Sequence, residues 1–334
     1  MKKWMRIVFL LICLLGLFIL SVDAESTADL YAEQLEASGA QEIMDNLPQG
    51  TRDLLNDLGI TGLDADSLSA LQPQNTLNSL FSLLVGQSGG VLGACGTLLG
   101  IILICALMDS MKQTVSEPAM SGVFGAVCSL AACAAVLIPV AGCIKRVSEA
   151  AESTSVFMMS FVPVYSGVLL TSGQAATAAS YNTVVLFAAE LISLLATSII
   201  MPLMTVSLAL GLTGSVGNGL KLDGASNLIN KGAGWLLGIT TTLFVGMLSL
   251  QGVVGAAADT LGGKALRFSI SSFVPVVGGT LSEAFNTVRG CLNLLKSTLG
   301  GFGILATALI VLPPILECTL WTAGLSLCNM AAEL

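Results

Sequence analysis

Two glutamates stand inside apolar runs: Glu190 in LFAAELISLL and Glu317 in PPILECTLW. An ionisable group within a membrane span is costly, and it marks a proton or cation path where it faces water or the bundle interior. Each also has a plainer reading, as an acid near the membrane interface or one kept protonated by burial. Gln251, in LSLQGVV, is a third candidate, either lining a path or hydrogen-bonding between helices. Beyond these the chemistry is sparse. The chain has no histidine, so the usual general base and the commonest metal ligand are missing. It has no G-x-x-x-x-G-K-[ST] loop and no H-E-x-x-H pair. We therefore expect no enzyme, no cofactor and no metal centre. Nine cysteines are present, none at C-x-x-C spacing, and they lie in or beside hydrophobic segments. They read as small apolar packing residues rather than a disulfide framework.

The elements that must position these groups are helices in a bilayer. Of the 334 residues, 54% are hydrophobic and 10% charged, against about 25% charged in soluble domains. Mean hydropathy is +0.88. The apolar runs are continuous rather than alternating, which excludes a β-barrel and points to membrane-spanning helices of about 20 residues. The net charge of −8 is concentrated in one place, with ten acids against the single base Arg52 between Glu25 and Thr76. No basic patch supports nucleic-acid binding.

Residues 1–24 read as a signal peptide. Lys2, Lys3 and Arg6 precede the apolar core Ile7–Leu20, and Val22-Asp23-Ala24 offers a cleavage site. Residues 25–76 follow as an acidic extracytoplasmic segment of short amphipathic helices, expected to lie along the membrane or dock on a partner, with a solvated acidic linker as the alternative. The first transmembrane region is 77–112. It carries Gly89, Gly93, Gly96 and Gly100, two pairs at the spacing that lets helix backbones approach closely.

The remainder repeats. SFVPVYSG at Ser160–Gly167 returns as SFVPVVGG at Ser272–Gly279, an offset of 112 that also relates Pro202 to Pro314. Hydropathy follows the same order in both copies, which defines pseudo-repeats at 119–213 and 231–328. Pro163 and Pro275 sit in short apolar segments, Val156–Leu170 and Phe268–Thr280. Proline removes a backbone donor and clashes with the preceding turn. Short proline-interrupted segments at matching places in two halves are the pattern of a transporter-like centre, and kinked helices give the same pattern. If each segment crosses the membrane, the repeat is inverted. If each dips back, it is parallel. The expected fold is all-α: a polytopic helical membrane protein with two pseudo-repeats containing short Pro-broken helices. Pro163, Pro275, Glu190, Gln251 and Glu317 are the candidate pore or gating residues.

The stretch Trp235–Ile304 resembles the stage III sporulation protein AE family. The SxQG step at Ser249–Gly252, Asp259, the F-[IV]-P-V-V-G element at Phe273–Gly278 and the pattern ending at Lys296 carry the likeness. Order and size agree over nearly the whole chain, although family members continue beyond the segment that ends this sequence at Leu334. The resemblance implies a multi-pass protein of the mother-cell membrane around the forespore. It implies partners among the other membrane proteins of the same operon and one in the forespore membrane. Together these form a channel or secretion-like complex in which this member looks permease-like. It brings no substrate and no catalytic residues. A conduit, a non-conducting scaffold and an independent secondary transporter all remain open.

Overall fold

A computed structural model describes residues 28–60, 62–63, 67, 73–112, 118–216, 223–273 and 278–333. The signal-peptide segment and Pro275 lie outside the described residues. Among those described the fold is all-α, without a strand. Three short helices come first: α1 (Ala28–Ala37), α2 (Gln41–Asp45) and α3 (Gln49–Asp57). Five long stretches follow. They are α4 (Pro73–Lys112), α5 (Pro118–Thr171), α6 (Ala175–Leu195) running through a π turn at Ala196–Ile200 into α7 (Met201–Val216), α8 (Asp223–Phe273) and α9 (Gly278–Ala332). Among the described residues five segments are long and apolar enough to cross a membrane: Phe81–Met108, Val127–Thr171, Ala175–Gly214, Gly224–Gly262 and Val288–Ala332.

The helices form two compact units. Unit one collects the chain up to Leu77 with Phe157–Leu186 and Leu248–Ala308. Its core is apolar and enclosed. In the N-terminal part Ile43, Leu47, Leu55 and Ile60 are buried. Leu54, Leu55 and Leu58 recur at helical spacing on α3, so one face turns inward. Gly59 takes a positive φ of 80°, and Ile60 N–H closes onto the Leu55 carbonyl at 2.9 Å, a glycine stop that lets α3 end sharply. The Tyr31 hydroxyl donates to the Leu63 carbonyl at 2.8 Å and ties the segment's two ends. The long-helix part packs Phe157, Phe161, Val162, Leu295, Leu299 and Phe302.

Unit two collects Asn78–Val156, Phe187–Met247 and Leu309–Leu334. Leu92, Leu103, Ile138, Trp235 and Leu243 are among its many large apolar side chains left exposed. A small cluster of Val91, Cys143 and Trp321 is buried, with Ala94, Cys95 and Cys318 packed on it. Close approach there falls at Gly324, where a Cβ would lie 2.6 Å from Cys95 Sγ. By contrast Gly89, Gly93, Gly96 and Gly100 have open space where a Cβ would stand, so among the described residues that spacing packs against nothing.

The expectation of a short broken helix at Pro163 is corrected. Val156–Leu170 is the C-terminal part of α5, which runs unbroken from Pro118 to Thr171. A proline inside a helix costs about 3 kcal/mol. Packing offsets that here: Phe157 stacks on Phe161 and Phe161 on Tyr165, each at 5.5 Å, and Tyr165 meets Tyr181 edge-on at 5.1 Å. Aromatic pairs contribute roughly 0.5–1.5 kcal/mol each beyond their buried area, which is enough to hold the turn. Pro202 behaves differently. The π turn at Ala196–Ile200 widens the backbone just where the proline ring would meet the Ser198 carbonyl. Its counterpart Pro314 sits in α9 with no such turn.

Candidate functional site

The most constrained place in unit one is the turn between α5 and α6. Gly173, with φ of 82°, ends α5, and Gln174 N–H bonds the Leu169 carbonyl at 2.9 Å. Gln174 therefore becomes the N-cap of α6, its carbonyl accepting from Ala178 N–H at 2.8 Å. Glutamine is not one of the residues that cap a helix with their own side chain. The cap comes instead from α8. Asp259 accepts from the backbone N–H of Ala176 at 2.9 Å and of Thr177 at 3.0 Å, and from the Thr177 hydroxyl at 2.5 Å. These are the donors a local cap would serve, and a carboxylate at a helix N-terminus also meets the positive end of its dipole. From α9, Lys296 Nζ donates to Gln174 Oε1 at 2.7 Å. One turn is thus gripped by two other helices.

Neighbouring glycines make the grip possible. At Gly255, one turn before Asp259, a Cβ would lie 2.7 Å from Thr177 Oγ1 and 3.1 Å from its Cα. At Gly300 it would lie 3.1 Å from the Tyr165 hydroxyl, and at Gly303 it would enter the Phe161 ring. Only glycine lets α8 and α9 come this close.

Unit two holds a second polar lock. Arg146 on α5 donates through Nε and Nη2 to both carboxylate oxygens of Glu317 on α9. Glu317 is 14% exposed and Arg146 50%. A two-pronged guanidinium–carboxylate pair is the strong form of this contact. Lys145 pairs with Glu149 at 3.5 Å on the exposed face. Further along, the Ser207 hydroxyl donates to Asn230 Oδ1 at 2.8 Å and shares a 2.9 Å bond with Ser226, tying α7 to α8.

The five expected pore residues are spread over both units. Glu317 is held by Arg146. Glu190 is exposed on α6. Both belong to unit two, whereas Gln251 and Pro163 belong to unit one, and Pro275 is not among the described residues. Gln251 is half-buried, and its side-chain oxygen is enclosed without a hydrogen-bond donor. The residues missed as functional were Asp259, Lys296, Gln174 and Arg146. A signal existed for two of them, since Asp259 and Lys296 carry the family likeness, but nothing in the sequence said what they hold.

The family model for stage III sporulation protein AE matches residues 64–328. This chain belongs to that family. Its relative named "Stage III sporulation protein AE" in Bacillus subtilis (strain 168) is 27% identical over 296 residues, covering 84% of this chain and 74% of the relative. No solved structure matches the chain. The AE-family region contains both locks, the Asp259–Lys296 grip and the Arg146–Glu317 pair. Membership makes this a sporulation protein.

Proposed function

We propose that the chain is a multi-pass, non-enzymatic component of the mother cell–forespore channel complex, and that it serves there mainly as a scaffold. Its partners are then the other stage III operon membrane proteins and a forespore membrane protein, and its place is the mother-cell membrane around the forespore. The observation that carries the scaffold reading is the capped turn. Asp259 and Lys296, both from the second pseudo-repeat, bind backbone and side chain at the turn of the first. Such bonds fix one geometry rather than permit a gate to move. The continuity of α5 through Pro163 supports the same reading.

A conduit is the second reading. It is favoured by the exposed Glu190 on an apolar helix and by the enclosed oxygen of Gln251. A forespore gene-expression reporter, read beside co-purification of the operon partners, separates the two. Under the scaffold reading Asp259→Ala loses both assembly and reporter, while Glu190→Gln keeps both. If Glu190→Gln abolishes the reporter with assembly intact, the scaffold reading fails and the conduit stands.

A further inference from the structure

Cys95 on α4 and Cys328 on α9 stand 233 residues apart in the chain and meet inside unit two. The Cys328 thiol donates to the Cys95 carbonyl at 3.8 Å, and the two thiol groups are themselves in contact. Neither is in a disulfide. The seam that brings them together is regular. On α4 it runs through Val91, Cys95 and Leu98, and on α9 through Cys318, Trp321, Leu325 and Cys328. Steps of three and four residues keep such side chains on one helical face. Trp321 shares a buried cluster with Val91, and Cys328 reaches Cys95 further along both helices, so α4 and α9 run parallel here.

The close approach comes from Gly324. A Cβ there would lie 2.6 Å from Cys95 Sγ and 3.2 Å from Val91 Cγ1. Packed helices usually keep their axes about 8–10 Å apart, whereas a disulfide needs its two Cα atoms within about 7 Å. A glycine one turn before Cys328 removes the side chain that would hold the helices apart. We propose that Cys95 and Cys328 are an oxidisable dithiol, a latch whose disulfide form fastens the end of α9 to α4.

The step is a two-electron oxidation. Each thiol gives up one proton and one electron, the S–S bond forms, and the oxidant, a quinone or another disulfide, leaves as the quinol or the dithiol. Cys328 is 5% exposed, and apolar burial shields a thiol from reagents in water. A small apolar oxidant has an approach. A cavity of about 460 Å³ lies between α4, α5 and the last turn of α9, lined by Ile101, Ile102, Cys105, Cys128 and Ala332 among others. Ala332 is one turn beyond Cys328. The bridge closes a loop of 233 residues, and long loops restrict the unfolded chain most. The latch is independent of whether the protein conducts.

Diamide, a small uncharged azo compound that takes one hydrogen from each of two thiols, is the probe, applied to membranes holding the full chain. A site-specific protease sequence inserted at 217–222 divides the chain between the two cysteines. Cys318 also contacts Cys143 on α5, so the parent carries Cys143→Ser and Cys318→Ser. After diamide and cleavage the two fragments are expected to stay joined on a non-reducing gel, to part with dithiothreitol, and to lose the joining when Cys328→Ser is added. Separate fragments in the parent, or joining that survives Cys328→Ser, overturn the latch. Should the parent fold poorly, peptide mass mapping of the chain with all its cysteines decides: a linked Cys95–Cys328 peptide is expected, and its absence after diamide overturns the proposal. Oxidation is also expected to raise the melting temperature by roughly 5–10 °C, reversibly with dithiothreitol. A linked chain that melts no higher overturns the fastening role.

Discussion

Replacing Asp259 by alanine removes the cap of α6 without touching α6 itself. Two backbone N–H groups and one hydroxyl lose their acceptor. Loss of a side-chain cap costs about 1 kcal/mol, and loss of the charge–dipole attraction adds roughly 0.3–1 kcal/mol. Charge-assisted bonds contribute about 1.5–3 kcal/mol each when dry, but Asp259 is only half-buried and water takes over part of the work. A total near 2 kcal/mol follows, which lowers the melting temperature by roughly 4–8 °C at 2–4 °C per kcal/mol. The assay is thermal unfolding of the detergent-solubilised chain, followed by circular dichroism. Asp259→Asn keeps one acceptor oxygen and is expected to lose about half as much. Thr177→Val deletes only the hydroxyl donor, and its effect is expected to shrink in the Asp259→Ala background, because the pair shares one bond. An Asp259→Ala melting point within about 1 °C of the unaltered chain refutes the cap. Strict additivity of Asp259→Ala and Thr177→Val refutes the side-chain bond.

Three further changes probe the packing. Gly303→Ala drives a methyl into the Phe161 ring and is expected to cost about 1–3 kcal/mol, and Phe161→Leu in the same chain recovers part of it in the melting assay. Gly173→Ala forces a side chain into the left-handed region at φ of 82° and costs roughly 1–2 kcal/mol, with α5 and α6 otherwise unchanged by circular dichroism. Arg146→Ala leaves Glu317 without its partner and is expected to destabilise by about 1–2 kcal/mol, discounted for a half-exposed arginine. Arg146→Ala with Glu317→Gln restores most of the loss, and a double variant no better than the single one argues against the pair.

How much of this was legible follows from the range of each signal. The all-helical fold and the apolar runs are one-dimensional properties, set by composition and periodicity, and they read correctly. The proline phrase misled in its first copy, where Pro163 sits inside α5. Proline biases a helix by about 3 kcal/mol, and the ring stack beside Pro163 is of the same size, so tertiary packing decides there. Glu317 illustrates the same limit. An acid in an apolar run advertises function, but its partner Arg146 lies 171 residues away, and only folding brings the two charges together.

By itself the sequence determined the material: helices, lipid-compatible runs, an acidic N-terminal segment and a 112-residue repeat. Local composition decides these because backbone hydrogen bonds in lipid must be satisfied within each helix. The tertiary structure alone decided which charges are occupied and which glycines matter. Asp259 caps a helix that begins 84 residues earlier in the chain at Ala175, and Gly255, Gly300 and Gly303 are small because another helix needs the room. Gly89, Gly93, Gly96 and Gly100 have the better motif and no neighbour among the described residues. Spacing along a helix can only offer a face. A bond or a close contact exists where a second helix arrives to meet it.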